Sequence, residues 1–489
     1  MKVNLENIFV TEGVPEYTFV EPPNFGDILL DIRKIGKPVI IEGQSGTGKT
    51  TTVKTVIQKL RVDADIAYLT ARKPDDVERV RQMIARPKEG YFVVDDFHRL
   101  PEDLRMELAE IAKLAAELGS EGKLPKLIVI GINQVGADLI QLVGDIAKRT
   151  GIHRIAPGRK TEIDNLIASG CEKLRIQIEG SDRIFEESRG DYWLTQQICQ
   201  TICSLAGVTE SLEDKRPIGF DIAQVRTRMV GKLEAAYYPA VKEFCRGRRF
   251  RPSNDPYFKL LRELGQQENS VVDLNELANA NEGVRGSINN IKERRLSVLI
   301  DSSDLVGRYF YYNRETKNFA IEDPALFYFL RHLDWNKLRA DCGFRERDNP
   351  REYEVAISFA GENRDLARYI SDRLVELDVH VFFDELYEDN FLGRAWSAEF
   401  KRIFADQSEL VVCLLDKHHL EKIWPTFERD CFRHRVKNAE VIPIHLDGTI
   451  FPGISSDIAG IHFNWDASDP SWDKRVDEEI VLRLIDRIA

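Results

Sequence analysis

Eight consecutive residues, Gly43-Gln44-Ser45-Gly46-Thr47-Gly48-Lys49-Thr50, follow the pattern G-x-x-x-x-G-K-[ST]. Glycines at these places let the backbone fold tightly and aim its N–H groups at phosphate oxygens. Lys49 brings positive charge to β- and γ-phosphates, and the Thr50 hydroxyl is a ligand for Mg²⁺. The helix expected next, with Thr51 in its first turn, adds the positive end of its dipole. Tyr91-Phe92-Val93-Val94-Asp95-Asp96 is an apolar run ending in two carboxylates. Asp95 is suited to hold Mg²⁺ and Asp96 to polarise an attacking water. A further apolar run, Leu127–Ile132, ends at Asn133, whose amide suits a γ-phosphate contact. Arg149 and Arg154 follow, either as phosphate ligands or as plain surface charges. These residues together call for ATP or ADP with Mg²⁺, turned over or merely bound.

Far from that loop, Trp424 and Glu428 are four residues apart in a helical pattern, so both project from one face. An aromatic ring beside a carboxylate suits a flat cationic heterocycle, which the ring stacks on and the carboxylate faces. The nicotinamide of NAD⁺ is such a group. Its N-glycosidic bond breaks without protonation of the leaving group, so the usual pair of glycosidase carboxylates is not required. One carboxylate facing the oxocarbenium-like charge can supply most of the catalysis, and Glu428 takes that role. The rival readings are a core aromatic for Trp424 and a solvated helix charge for Glu428.

The elements that must position these residues fall into three blocks. The chain has 489 residues, too many for one core. Up to about residue 240, Lys37–Gly43, Ile66–Thr70, Tyr91–Asp95 and Leu127–Ile132 read as buried parallel strands. They alternate with helices such as Asp103–Leu118, giving an α/β layered sheet. From Thr161 to Val230 the pattern turns helical. Residues 241–345 read as helices at Asp273–Ala280 and Val284–Leu296, then strands at Val298–Ile300 and across Tyr309–Ile321, which suggests a winged helix. Residues 346–350 form a polar joint. Strand–helix alternation returns with Tyr353–Phe359, Val379–Phe383, Leu410–Leu415 and Val441–Leu446, defining a block over 352–489.

Hydrophobic residues make up 43% and charged residues 31%, as in soluble globular chains. The net charge of −12 argues against a chain built to coat nucleic acid or an anionic membrane. The first residues do not read as a signal sequence and none is expected, no apolar run is long enough to span a bilayer, and the seven cysteines are scattered. A cytoplasmic protein with reduced thiols is expected. Cys199 and Cys203, one helical turn apart, read as buried thiols rather than metal ligands.

The N-terminal block resembles the AAA-like ATPases of the STAND group, which combine a P-loop core with a helical lid and a winged helix. Gly190-Asp191-Tyr192-Trp193-Leu194-Thr195-Gln196-Gln197 looks like the lid segment, with no proline where that family usually reads Gly-x-Pro. The C-terminal block resembles a Toll/interleukin-1 receptor (TIR) domain of flavodoxin-like fold with a parallel sheet. The carrying segments are Tyr353–Gly361, Val379–Asp384, Glu385–Gly393, Leu410–Leu415, Trp424-Pro-Thr-Phe-Glu428 and Val441–Gly448. Where many bacterial members have Leu-Trp-Gly, this chain has Phe391-Leu392-Gly393. The resemblance implies an NAD⁺ nucleosidase with Glu428 catalytic and Phe359, Ala360, Asp384 and Trp424 around NAD⁺.

A P-loop switch tethered to a TIR enzyme resembles prokaryotic antiphage systems that deplete NAD⁺. It implies nucleotide-controlled self-association set off by an unidentified trigger, with a phage component among the options. Three rivals stand beside this reading. They are a non-enzymatic TIR scaffold, a cyclase making an ADP-ribose signal through the same oxocarbenium ion, and a DNA-binding regulator. The last would use Arg285, Lys292, Arg294 and Arg295, with Arg246-Gly-Arg-Arg-Phe-Arg251 upstream.

Overall fold

The computed structural model describes residues 2–62, 66–132, 149–252, 255–344, 351–377, 379–384, 400–422, 435–436, 438–451, 459–466 and 468–488. It divides into two compact units. One comprises Met1–Tyr238, Gln267–Val271 and Ala320–Leu333, the other Pro239–Gln266, Val272–Phe319 and Asp334–Ala489.

The first unit is built on five strands, β1 (Val39–Glu42), β2 (Ile66–Thr70), β3 (Tyr91–Asp95), β4 (Lys126–Gly131) and β5 (Gly151–Arg154). They pair in parallel in the order β2-β3-β4-β1-β5. Alternate side chains of β1 serve opposite faces. Ile40 joins the core under helix Glu102–Leu118, while Val39 and Ile41 join the core under helices Phe25–Arg33 and Lys49–Leu60. A sheet covered on both faces explains why every residue of β4 is buried. Because the strands are parallel, their C-terminal ends share one edge, which is where such sheets bind ligands. The four strands expected from sequence are all present, and β5 is an addition.

Helices Lys160–Leu174, Ser181–Ser188 and Tyr192–Leu205 form a layer with its own apolar core. Cys199 and Cys203 are buried in that core, and the other described cysteines are buried too, none of them in a disulfide. The helical expectation for this stretch needs one correction. Three-residue strands β6 (Ile176–Ile178) and β7 (Arg216–Ile218) form a parallel pair within it.

Strands β8 (Val271–Asp273), β9 (Phe310–Asn313) and β10 (Asn318–Ile321) make a three-stranded sheet, β8-β10-β9. Helices Leu274–Ala280 and Glu282–Lys292 precede β9. The expected helix Val284–Leu296 ends early, because Arg294 leaves helical geometry at φ −141°. The strand expected at Val298–Ile300 is helical instead. It lies within Arg295–Ser302, whose buried Leu296 and Leu299 have helical spacing.

In the second unit, β11 (Tyr353–Ser358), β12 (Val381–Phe382), β13 (Ser408–Leu415), β14 (Val441–His445) and β15 (Ile461–His462) form a parallel sheet. Its order is β12-β11-β13-β14-β15. This is the doubly wound 2-1-3-4-5 order, whose topological switch lies between the first and third strands. Among the described residues no helix is long and apolar enough to cross a membrane.

The cations weighed for DNA reading are spent inside this unit. Arg285 donates to the Ala278 and Asn279 carbonyls, and Lys292 to Asn275. Arg294 pairs with Glu376 at 2.9 Å. Arg295, 3% exposed, donates to the Val375 and Val379 carbonyls. Arg251 forks onto Glu354 at 2.8 and 2.9 Å and also reaches the Leu377 carbonyl. Arg295→Ala removes a donor from the buried Val379 carbonyl, which costs about 1–3 kcal/mol if left unpaired, and a second donor from the part-buried Val375 carbonyl. The midpoint of unfolding is therefore expected to fall by several degrees, and an unchanged midpoint would contradict this packing.

Candidate functional site

The P-loop joins the end of β1 to helix Lys49–Leu60. Gly46 and Gly48 adopt φ +82° and +86°, in the left-handed region that favours glycine. A Cβ on Gly46 would lie 2.0 Å from a carboxylate oxygen of Asp191, so this position has no room for a side chain. Lys49 donates to the Gly43 and Gln44 carbonyls at 2.9 and 2.6 Å, curling the loop round its own ammonium. Burial pushes that ammonium down to about 8, the state of a buried cation in want of an anion. Thr47 is buried, and its hydroxyl donates to the Gln44 carbonyl.

The strand ends deliver the acids. Thr50 and Tyr68 both donate to Asp95 Oδ2, at 2.9 and 2.6 Å. Burial and the neighbouring Asp96 raise the Asp95 pKa, and a hard cation would relieve that. Thr50 and Asp95 are thus the pair that fits Mg²⁺. Asp96, at φ +57°, accepts from Thr70 and a bidentate Arg72. It is a paired carboxylate, not a bare one facing water.

A cavity of about 380 Å³ opens over Ser45–Thr52, Asp95 and Asp96, and its far wall carries Tyr192, Trp193 and Gln196. Trp193 Nε1 donates to the Thr11 carbonyl at 2.9 Å, and Gln196 to the Thr18 hydroxyl at 2.7 Å. The expected lid segment thereby pins the N-terminal strip that closes this cavity. Asp191 caps helix Tyr192–Leu205 through the Leu194 N–H, and burial raises its pKa to about 6. Asn133 lies outside the described residues. Arg149 and Arg154 are exposed and not among the residues lining the cavity. Arg72, which does line it, was not foreseen, although its place just past β2 on the ligand-binding edge was the available signal.

The TIR-like block gathers polar residues at its own switch point. Ser358 ends β11, Asp416 follows β13, and both are buried. Ser358 Oγ lies 3.1 Å from His419 Nε2, while Asp416 accepts from the His419 N–H and from Asn363. Burial depresses His419 to about 4, with Asp416 opposing. Beside this cluster Phe359 stacks on Phe383 at 5.4 Å, and Arg364 forks onto Asp384 at 2.9 and 3.3 Å. The Arg364 guanidinium also lies 5.3 Å from the Phe359 ring centre. Phe359 and Asp384 are thus brought together, through an arginine that sequence reading missed. Ala360 is buried behind them. Trp424, Glu428 and the loop Glu385–Gly393 lie outside the described residues.

His419 gives a pH test of this cluster. The fold keeps it neutral down to about pH 4, whereas an unfolded chain protonates it near 6.5. Nothing is lost above pH 6.5, and stability drains as pH falls from there towards 4. His419→Gln is expected to lose less of its melting temperature than wild type across that window. Parallel curves would contradict the assignment.

Residues 355–480 match the TIR domain family model. The chain is also 30% identical over 114 residues to the 3′ cyclic ADP-D-ribose synthase AaTIR of Aquimarina amphilecti. That stretch is 23% of this chain and 35% of the relative, well under the relative's full length. Among solved structures, it is similar to a Walker-type ATPase of Pyrococcus abyssi. The TM-score there is 0.42 at 13% identity, covering 66% of this chain and 99% of that one. The Aeropyrum pernix ORC1 protein gives 0.38 at 12% identity, covering 69% and 98%. At those scores neither likeness carries weight of its own, and the phosphate site rests on the strand–loop–helix geometry above. The chain joins an N-terminal α/β domain bearing a P-loop to a C-terminal TIR domain.

Proposed function

We propose that this protein is a nucleotide-controlled TIR enzyme that cleaves the bond between nicotinamide and ribose in NAD⁺. The observation that carries this is the TIR match over 355–480, inside which Trp424 and Glu428 fall with the spacing of a ring-and-carboxylate pair. Trp424 stacks on the pyridinium, and Glu428 faces the charge that develops on the ribose. Phe359, Ala360 and Asp384 border the same pocket. The P-loop side binds ATP or ADP, with Mg²⁺ between Thr50 and Asp95 and contacts from Asn133 and Asp96. Residues 1–240 act as the STAND-type ATPase with its lid, 241–345 as a winged-helix brace, and 352–489 as the effector. Moving such a switch from 1:99 to 99:1 takes about 5.5 kcal/mol of differential binding. Triphosphate with Mg²⁺ and a partner surface supply it, and self-association then sets TIR domains side by side. Depletion of NAD⁺ in the cytoplasm of a phage-infected cell is the role that fits a tethered, triggered enzyme.

One finding favours a second product. The relative from Aquimarina amphilecti is named for making 3′ cyclic ADP-D-ribose, and cyclisation and hydrolysis share one oxocarbenium intermediate. Separation of the adenine-containing products after incubation with NAD⁺ tests this. ADP-ribose alone identifies a hydrolase, a cyclic isomer identifies a cyclase, and intact NAD⁺ under all triggering conditions leaves the scaffold reading. The engagement of Arg251, Arg285, Lys292, Arg294 and Arg295 within the fold weighs against a DNA reader.

A further inference from the structure

The residues lining the P-loop cavity include two cations, Lys49 and Arg72. Lys49 comes from the loop itself. Arg72 comes from the opposite side, just past the end of β2, where Thr70 lies in register with Asp95. One edge of its guanidinium is committed, with Nε at 2.8 Å and Nη2 at 3.1 Å from the two Asp96 oxygens. Nη2 also lies 3.5 Å from Glu322 Oε2. The remaining nitrogen, Nη1, makes no hydrogen bond among the described residues.

Glu322 does not depend on Arg72. Its carboxylate is 1% exposed and is held by His98 and by Arg99, whose Nε donates at 2.7 Å. Burial alone would raise its pKa, but His98 and Arg99 overcome that and hold it at about 2. Arg99 is thus committed to Glu322, whereas Arg72 lines the cavity with Nη1 still uncommitted among the described residues. A planar fork can keep one carboxylate on one edge and take a phosphate oxygen on the other, which an ammonium cannot do.

We propose that Arg72 is the residue that reads the terminal phosphate of a nucleoside triphosphate. It bonds an oxygen that a diphosphate lacks, and so sets the preference for triphosphate over diphosphate. Ser45 of the P-loop donates to the backbone carbonyl of Glu322, so the wall beside Arg72 is bonded to the loop that holds the other phosphates. The inference rests on the cavity being a nucleotide site.

The test is titration of the full-length chain with ATP and with ADP, in Mg²⁺, by calorimetry. Arg72→Ala is expected to weaken ATP binding by on the order of 10- to 100-fold, the worth of a charge-assisted hydrogen bond, and ADP binding by less than about threefold. Repeating it in an Asp96→Asn background removes the carboxylate that the substitution would bare, and the loss of ATP preference should persist. If Arg72→Ala does not fold, Arg72→Gln serves the same comparison. Equal weakening of both nucleotides, or of neither, would overturn the assignment to the terminal phosphate. A wild-type chain that binds neither nucleotide would overturn the nucleotide site itself, a result distinct from the other two.

Discussion

Glu428→Gln is expected to slow nicotinamide release from NAD⁺ by on the order of 10²–10³-fold, with little change in KM, under conditions where wild type is active. The substitution keeps shape and hydrogen bonding while removing the charge. NAD⁺ itself carries a pyridinium that leaves as a neutral amide, so no acid is needed at the leaving group. What the reaction needs is a negative partner for the ribosyl cation, which exists only near the transition state. Removing that partner therefore lowers kcat and leaves ground-state binding largely intact. Trp424→Ala should act differently, raising KM as stacking is lost. If Glu428→Gln kept the wild-type rate, another carboxylate would be the catalytic one. Asp384 would be the first to examine, because it is beside Phe359 and Arg364 at the same sheet edge.

Lys49→Ala is expected to weaken ATP and ADP alike by on the order of 10²-fold or more, and with them the nucleotide dependence of NAD⁺ cleavage. Lys49 is held near its own loop carbonyls at a pKa of about 8 by burial. A bound polyphosphate supplies the missing anion and raises that value, so binding takes up a proton. The sign follows. Affinity should be flat below pH 8 and should fall as pH rises above it. Nucleotide affinity in Lys49→Ala that matched wild type would remove the P-loop from the account. The contrast with Arg72→Ala, which should spare ADP, separates a general phosphate clamp from a reader of the last phosphate.

Much of this was legible in the residues because the informative patterns are local. An apolar run ending in glycines and a lysine, or in two aspartates, marks a strand and the polar groups at its end, and β1 and β3 followed accordingly. Short elements were not legible. β5 reads Gly-Ile-His-Arg with alternate residues exposed, and β6, β7 and β15 have two or three residues each. Val298–Ile300 is apolar with two β-branched residues, Val298 and Ile300, which favours a strand locally, but burial of Leu296 and Leu299 on one face decided for a helix. Arg295 looked like a surface cation because arginine almost never buries without partners, and its partners here are carbonyls eighty residues or more away. Arg72 was hidden for the same reason. Its meaning comes from Asp96 and the cavity, not from its neighbours in sequence.

The most direct measurement is nicotinamide release from NAD⁺ by the purified full-length chain, alone, with ATP and Mg²⁺, and in host lysate with and without phage challenge. The expected result is little release from the chain alone and strong release when nucleotide and trigger are both present, abolished in Glu428→Gln and lost in Lys49→Ala. Absence of nicotinamide release in every one of these conditions would contradict an NAD⁺-cleaving enzyme, and release indifferent to nucleotide and to Lys49 would contradict the switch.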